Sequence, residues 1–250
     1  VLTPVYLHPS EQGTINNVYT GDRPFYWNKI DVSCRMTLIE LPPASPDAPP
    51  VLWVHSPVGA DGPMQQVIQN MLPAKVEHVV SSNYEHLKFA PEWGRTYPDA
   101  HFWGCPGLPE RMPDMPWTGE IPDGYRPAGW KGATRESPIL PTTEPWWDRN
   151  LIQALHVHIE VNPATCRPFF NEVIYFHTVS KTLMVTDLFF NYPASTVPNS
   201  EFGRNDAWEL APVVSKIPIG SRLWKKGMDV VYAPFFSTLM VTDKAAFRDI

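Results

Sequence analysis

Apolar positions along the chain alternate or run in short blocks, separated by proline-rich polar stretches, a pattern that predicts a sheet-dominated α/β protein. Residues 35–41 and 51–55 alternate or run apolar and predict a strand pair joined by a proline-rich loop. In residues 63–72, Met64, Val67, Ile68, Met71 and Leu72 recur at helical spacing, with Pro63 in the first turn. Residues 76–80 predict a short buried strand, 91–97 a short helix and 100–103 the next strand. From Leu155 onward the segment 151–161 has strand spacing, which puts His156, His158 and Glu160 on one face. Residues 173–176 and 182–186 predict a hairpin. Residues 1–29 are turn-rich and read as an arm over a single domain spanning 30–250, in which 106–150 form an irregular insertion.

Composition narrows the class. A chain of 250 residues, 43% hydrophobic and 18% charged, is long enough for a sizeable core and too apolar to be disordered. The formal charge of -6 argues against nonspecific nucleic-acid binding, which needs a basic footprint. No apolar run approaches the roughly 18 residues that span a bilayer. The 29 prolines cluster within 41–50, 106–145 and 192–198, and Trp117, Trp130, Trp146 and Trp147 fall among them. Such loops pack without regular structure, over the domain's own surface or against a partner. Cys34, Cys105 and Cys166 are far apart, without C-x-x-C, and read as reduced thiols. The hexapeptide Thr-Leu-Met-Val-Thr-Asp occurs at 182–187 and again at 238–243, and reads as coincidence because nothing around it repeats. The chain opens on Val1 without Met, so any transit peptide would lie upstream of it.

Few motifs carry chemistry. There is no G-x-S-x-G elbow, no G-x-G-x-x-G and no phosphate-binding loop. Ser56 follows His55 directly, and neighbours on a strand point to opposite faces, so the two do not form a dyad. His156 and His158, with Glu160, have the spacing of a strand-face zinc site, although a solvated face is the plainer reading.

The ordered series Arg35-Met36-Thr37-Leu38-Ile39-Glu40-Leu41, Leu52-Trp53-Val54-His55-Ser56-Pro57-Val58, Asn83-x-x-His86, Tyr97-Pro98-Asp99-Ala100, Cys105-Pro106-Gly107-Leu108-Pro109-Glu110, Asn171-Glu172-Val173-Ile174-Tyr175-Phe176-His177 and Thr182-Leu183-Met184-Val185-Thr186-Asp187-Leu188 resembles a family of metallo-β-lactamase-like proteins. That family is a domain of unknown function found in bacteria, cyanobacteria, algae and plants. The resemblance covers roughly residues 30–110 and 170–250 and implies an αββα sandwich. It implies no substrate, because function lives in sites rather than folds.

In active metallo-β-lactamase-like hydrolases the strand end at 81–86 carries His-x-His-x-Asp-His, which binds one or two zinc ions. Here Ser81 and Asn83 replace the first two His, Glu85 replaces the Asp, and His86 remains. Asp187 matches the family's metal-bridging Asp, and the resemblance brings His55 and His177 to the same end of the sheet. The mid-chain Pro-Gly-His ligand is missing, with Asn162-Pro163-Ala164 in its region, and the last His-Gly ligand position would lie past Ile250. The leading expectation is a catalytically degenerate scaffold with no cofactor, acting as a binding or structural subunit of a larger protein assembly. A plastid or photosynthetic setting, or otherwise the cytoplasm, and peripheral association with a membrane complex go with it. The alternative is a hydrolase holding zinc or another divalent metal on His86, Asp187, His177 and His55. A third reading is a small-molecule binding protein reusing the old pocket.

Overall fold

The computed structural model describes residues 2–6, 17–27, 30–31, 34–42, 48–71, 74–121, 151–157, 168, 170–188 and 226–241. The chain divides into two compact units. One comprises Val1–Gly21, Met36–His158 and Phe170–Leu188, and the other Asp22–Arg35, Ile159–Phe169 and Phe189–Ile250.

The first unit is built on a seven-stranded mixed sheet. Its strands are β1 (Leu2–Tyr6), β2 (Val18–Arg23), β5 (Cys34–Leu41), β6 (Val51–His55), β7 (Lys75–Ser81), β8 (His101–Gly104) and β9 (Trp117–Glu120), in that spatial order. β5 and β6 are antiparallel, and β6 through β9 are parallel. Parallel neighbours need crossover connections, and α1 (Gly62–Met71) and α2 (Ala90–Thr96) supply them between β6, β7 and β8. Met64 and Ile68 form the buried side of α1, as their helical spacing requires, and Trp93 is buried on α2.

A second, antiparallel sheet of β10 (Ile152–Val157), β11 (Glu172–His177) and β12 (Thr182–Met184) belongs to the same unit. One core joins the sheets: Ile39, Trp53, Val80 and Trp103 from the large sheet are buried with Ile152, Val173, Tyr175 and Met184 from the small one. Trp53 meets Tyr175 edge to face, with ring centroids 5.1 Å apart and planes at 69°, a favoured aromatic arrangement. Leu38, Leu52, Val54, Val79 and Phe102 are buried on alternate strand positions, which places them on the opposite face of the large sheet. The protein is thus a mixed α/β sandwich, with a helix layer, a large sheet and a small sheet among the described residues. None of the described helices is long and apolar enough to cross a membrane.

Several expectations change. Leu2–Tyr6 and Val18–Arg23, expected in an arm over the domain, are strands of the large sheet. The first part of the expected insertion is regular: α3 (Leu108–Arg111) leads to β9, which closes the sheet edge. Prolines surround Trp117–Glu120 but none lies within it, so the short edge strand can form. His156, expected on a solvated face, is buried and pairs through Nε2 with Asn171 Oδ1 at 2.8 Å. His158 and Glu160, residues 122–150, 192–198 and Cys166 lie outside the described residues. Cys34 Sγ donates to Arg23 O at 3.4 Å, and the Asn171 amide donates to Cys105 Sγ at 3.8 Å.

In the second unit, β3 (Tyr26–Trp27) pairs with β4 (Ile30–Asp31). Arg35 Nε donates to Asp22 Oδ1 at 2.6 Å. A helical run follows through Met228–Tyr232, Ala233–Phe235 and Phe236–Met240, with wide π turns at both ends. The second copy of Thr-Leu-Met is helical here, whereas Thr182–Met184 is a strand, so tertiary context decides the form of this tripeptide.

Trp53 carries the inter-sheet contact, so Trp53→Ala is expected to destabilise the chain by about 3–5 kcal/mol through lost burial and an unfilled cavity. Urea unfolding followed by far-UV circular dichroism measures it, and a loss under about 1 kcal/mol would remove Trp53 from the core's main support.

Candidate functional site

The C-terminal ends of β6, β7 and β8 point the same way because these strands are parallel, and that edge is where open α/β sheets commonly hold ligands. Two backbone bonds tie the turn after β7 to the start of β11: Tyr84 N–H donates to Phe170 O at 2.9 Å and Val173 N–H to Ser82 O at 2.8 Å. The edge of the large sheet is thereby locked to the edge of the small one.

Asn83 sits in that turn. Its side-chain oxygen accepts the backbone N–H groups of Glu85, at 3.0 Å, and His86, at 2.8 Å. This Asx turn leaves only the amide nitrogen to face outward. That nitrogen donates to Asp187 Oδ2 at 2.6 Å and to Thr186 Oγ1 at 2.8 Å. Flipping the amide would set its NH2 against two N–H donors, so the network assigns the orientation. His86 Nε2 lies 3.2 Å from the same Asp187 Oδ2, and Ser56 Oγ lies 3.5 Å from His86 Nδ1.

Glu172 holds the opposing loop. Its Oε1 accepts the N–H of Thr186 at 2.6 Å, and its Oε2 accepts those of Asp187 at 2.7 Å and Leu188 at 2.9 Å. Burial pushes the Glu172 carboxyl upward, against the pull of those backbone donors. The next loop is anchored independently, since Tyr84 Oη and the Asn171 amide both donate to Pro106 O, at 2.9 and 2.6 Å.

The candidate residues separate into three groups. Asn83, His86 and Asp187 come together. His55 immediately precedes Ser56, but its ring lies inside the core, stacked 6.0 Å from Trp53 and edge-on to Tyr175 at 5.5 Å. His177 is at the other end of β11 from Glu172, five residues or about 17 Å along the strand. There its Nδ1 faces Ser180 Oγ at 2.7 Å, in the hairpin turn. Ser81 is buried, and Glu85 is largely exposed, its carboxyl raised by partial desolvation and by the charge of Asp187. Sequence reasoning missed Glu172, Thr186 and the approach of Ser56 to His86. An acid opening a buried strand was the available signal for Glu172; the other two are long-range pairings with no local signature.

This arrangement does not fit the metal that the family resemblance implies. Asp187 Oδ2 receives an N–H donor, Asn83 turns nitrogen toward the site, and both Glu172 oxygens are filled by backbone donors. Atoms that would face a cation in a metal centre face hydrogens here. Among the described residues, no three His, Cys, Asp or Glu side chains are grouped to hold a metal.

The pKa values of His86 and of His55, His78 and His177 move in opposite directions. Burial lowers His86, but the hydrogen bond and charge of Asp187, helped by Glu172 and Glu85, outweigh it and leave its pKa raised. Burial, with the charge of His86, lowers His55 to about 3, and its Nε2 has no hydrogen-bond partner. His78 is lowered to about 3 and His177 to about 4, chiefly by burial.

These features define an α/β sandwich with a closed polar cluster at the ends of its parallel strands. The chain belongs to the family described as a domain of unknown function (DUF4336), whose model matches residues 15–205. No curated protein matches it. Among solved structures it is similar to a metallo-β-lactamase from Hirschia baltica, with 10% identity over 79% of this chain and 76% of that chain and a TM-score of 0.47.

His86, raised, contributes stability that is present below pH 6.5 and lost as pH rises through its folded value. His55, lowered, withdraws stability as pH falls from 6.5 toward about 3, by up to about 1.4 kcal/mol per pH unit. His55→Phe is therefore expected to flatten the acid side of the stability curve and to cost little at pH 8, since it removes an unpaired buried nitrogen. Urea midpoints between pH 8 and 4.5 test this, and an unchanged acid slope would contradict it.

Proposed function

We propose that this chain works without a bound metal, as a binding protein within a larger assembly rather than as a dizinc hydrolase. Its ligand or partner meets the C-terminal strand ends around His86, whose side chain is 37% exposed. The observation that carries this reading is the Asn83 amide donating to Asp187 Oδ2, a hydrogen bond in the place a cation would need. A single-metal hydrolase would require Asp187 and His86 to release that bond and to recruit a third ligand, and His177 is too far along β11 to be one.

An assembly partner finds support in a different part of the chain. Val230, Val231, Phe235 and Leu239 are exposed at 63, 68, 47 and 57% along the helical run of the second unit. Exposed large apolar groups in series are a common feature of contact surfaces.

Elemental analysis by inductively coupled plasma mass spectrometry, on protein isolated without added metal or chelator, tests the metal-free reading. Less than about 0.1 equivalent of zinc, iron or manganese is expected, with no gain in hydrolysis of nitrocefin or bis-p-nitrophenyl phosphate on adding zinc. One equivalent that disappears in His86→Ala would overturn the proposal and restore the hydrolase.

A further inference from the structure

Three residues from separate segments meet beside the end of β6. Ser56 Oγ lies 3.5 Å from His86 Nδ1, and His86 Nε2 lies 3.2 Å from Asp187 Oδ2. A carboxylate accepts and does not donate, so the imidazole nitrogen facing Asp187 carries the proton in the neutral ring. The lone pair is then on Nδ1, on the side of the Ser56 hydroxyl. The order is nucleophile, base and orienting acid, which is recognised by geometry and roles and not by sequence position. The Asn83 amide, 2.6 Å from the same Asp187 oxygen, holds the acid in place.

The backbone at Ser56 is a second, independent observation. Its φ is 50°, in the left-handed region that costs a non-glycine residue about 1–2 kcal/mol. Ser56 also precedes Pro57, and residues before proline are ordinarily extended. The conformation is held by the Ser56 N–H donating to Val80 O at 3.0 Å, which ties the turn to the neighbouring strand. Strain of this kind gathers at functional sites, and at a strand end it aims a side chain out of the sheet.

We propose that Ser56, His86 and Asp187 form a metal-independent acyl-transfer site that takes small uncharged carboxylic esters. The proposal rests on the metal-free reading above and names the ligand class for that same site. Ser56 Oγ attacks the ester carbon while its proton passes to His86 Nδ1, and the carbonyl electron pair moves onto oxygen. Collapse of that oxyanion breaks the bond to the alkoxy group, which leaves as an alcohol with the proton from Nδ1. Water then attacks the acyl carbon and gives a proton to His86. The second collapse releases the carboxylic acid and returns a proton to Ser56 Oγ. Asp187 is a positioning residue that keeps Nε2 protonated and the ring in register. Ser56 Oγ and His86 Nδ1 are 3.5 Å apart, and catalytic hydrogen bonds of this length tighten on substrate. Ser56 is only 6% exposed, which limits the acyl group to a small one, and Asp187, Glu172 and Glu85 around His86 disfavour an anionic acyl donor.

The test is covalent labelling of the full chain by a fluorophosphonate probe in EDTA, read by mass spectrometry of the peptide containing Ser56, alongside hydrolysis of p-nitrophenyl acetate. Phosphonylation at Ser56 is expected. His86→Gln is expected to slow it about 100-fold or more. Ser56→Ala is expected to abolish it, and so is Ser56→Gly, which keeps the fold because glycine adopts this φ freely. Asp187→Asn is expected to move the midpoint of the pH–rate curve downward, which a purely structural role would leave in place. Folded, metal-free wild-type protein without an adduct at Ser56, or equal labelling of Ser56→Gly, overturns the acyl-transfer proposal and leaves the metal-free reading standing. Labelling that EDTA abolishes and zinc restores overturns both.

Discussion

The site depends on the single orientation open to the Asn83 side chain. Its oxygen is committed to two backbone N–H groups in its own turn, so its nitrogen must face Asp187. A hydrogen-bond donor therefore occupies the approach to Asp187 Oδ2. From that follow the acceptor role of Asp187, the protonated Nε2 of His86 and the free lone pair turned toward Ser56. The residue is short, local and buried, and it decides the chemistry of the groups around it.

The interior carries a second electrostatic constraint. His55 and His78 are almost wholly enclosed and held near pKa 3, so the fold keeps two imidazoles neutral in the large sheet's buried face. His78 accepts the Trp103 indole N–H at 3.3 Å, whereas His55 Nε2 is left without a partner. An aromatic ring of that size fills the space between Trp53 and Tyr175, and the unpaired nitrogen is the cost of using histidine to fill it. His86, by contrast, is partly open to water and lies beside an acid, which raises its pKa.

Much of the fold was legible in local pattern. The helix expected at 63–72 is Gly62–Met71, the strand expected at 76–80 is Lys75–Ser81, and the hairpin expected at 173–186 is β11 and β12. Each of these is specified by spacing within a dozen residues. Leu2–Tyr6 and Trp117–Glu120 were not legible, because they become strands only by lying against a sheet already formed. The candidate site was legible in part. His86, Asn83 and Asp187 converge, but the ends of β11 could not be told apart without its register, so His177 fell on the wrong side. Ser56 was weighed against its neighbour His55, and its actual partner is thirty residues away.

The Glu172 clamp acts mainly on backbone: beside a side-chain hydrogen bond from Thr186, the three N–H groups it gathers belong to residues 186–188 whatever their side chains are. The loop bearing Asp187 would thus keep its path after a change of side chain. Such a loop can accept a different side chain at position 187 while its backbone stays fastened. A scaffold fastened in this way separates the inheritance of its shape from the inheritance of its chemistry.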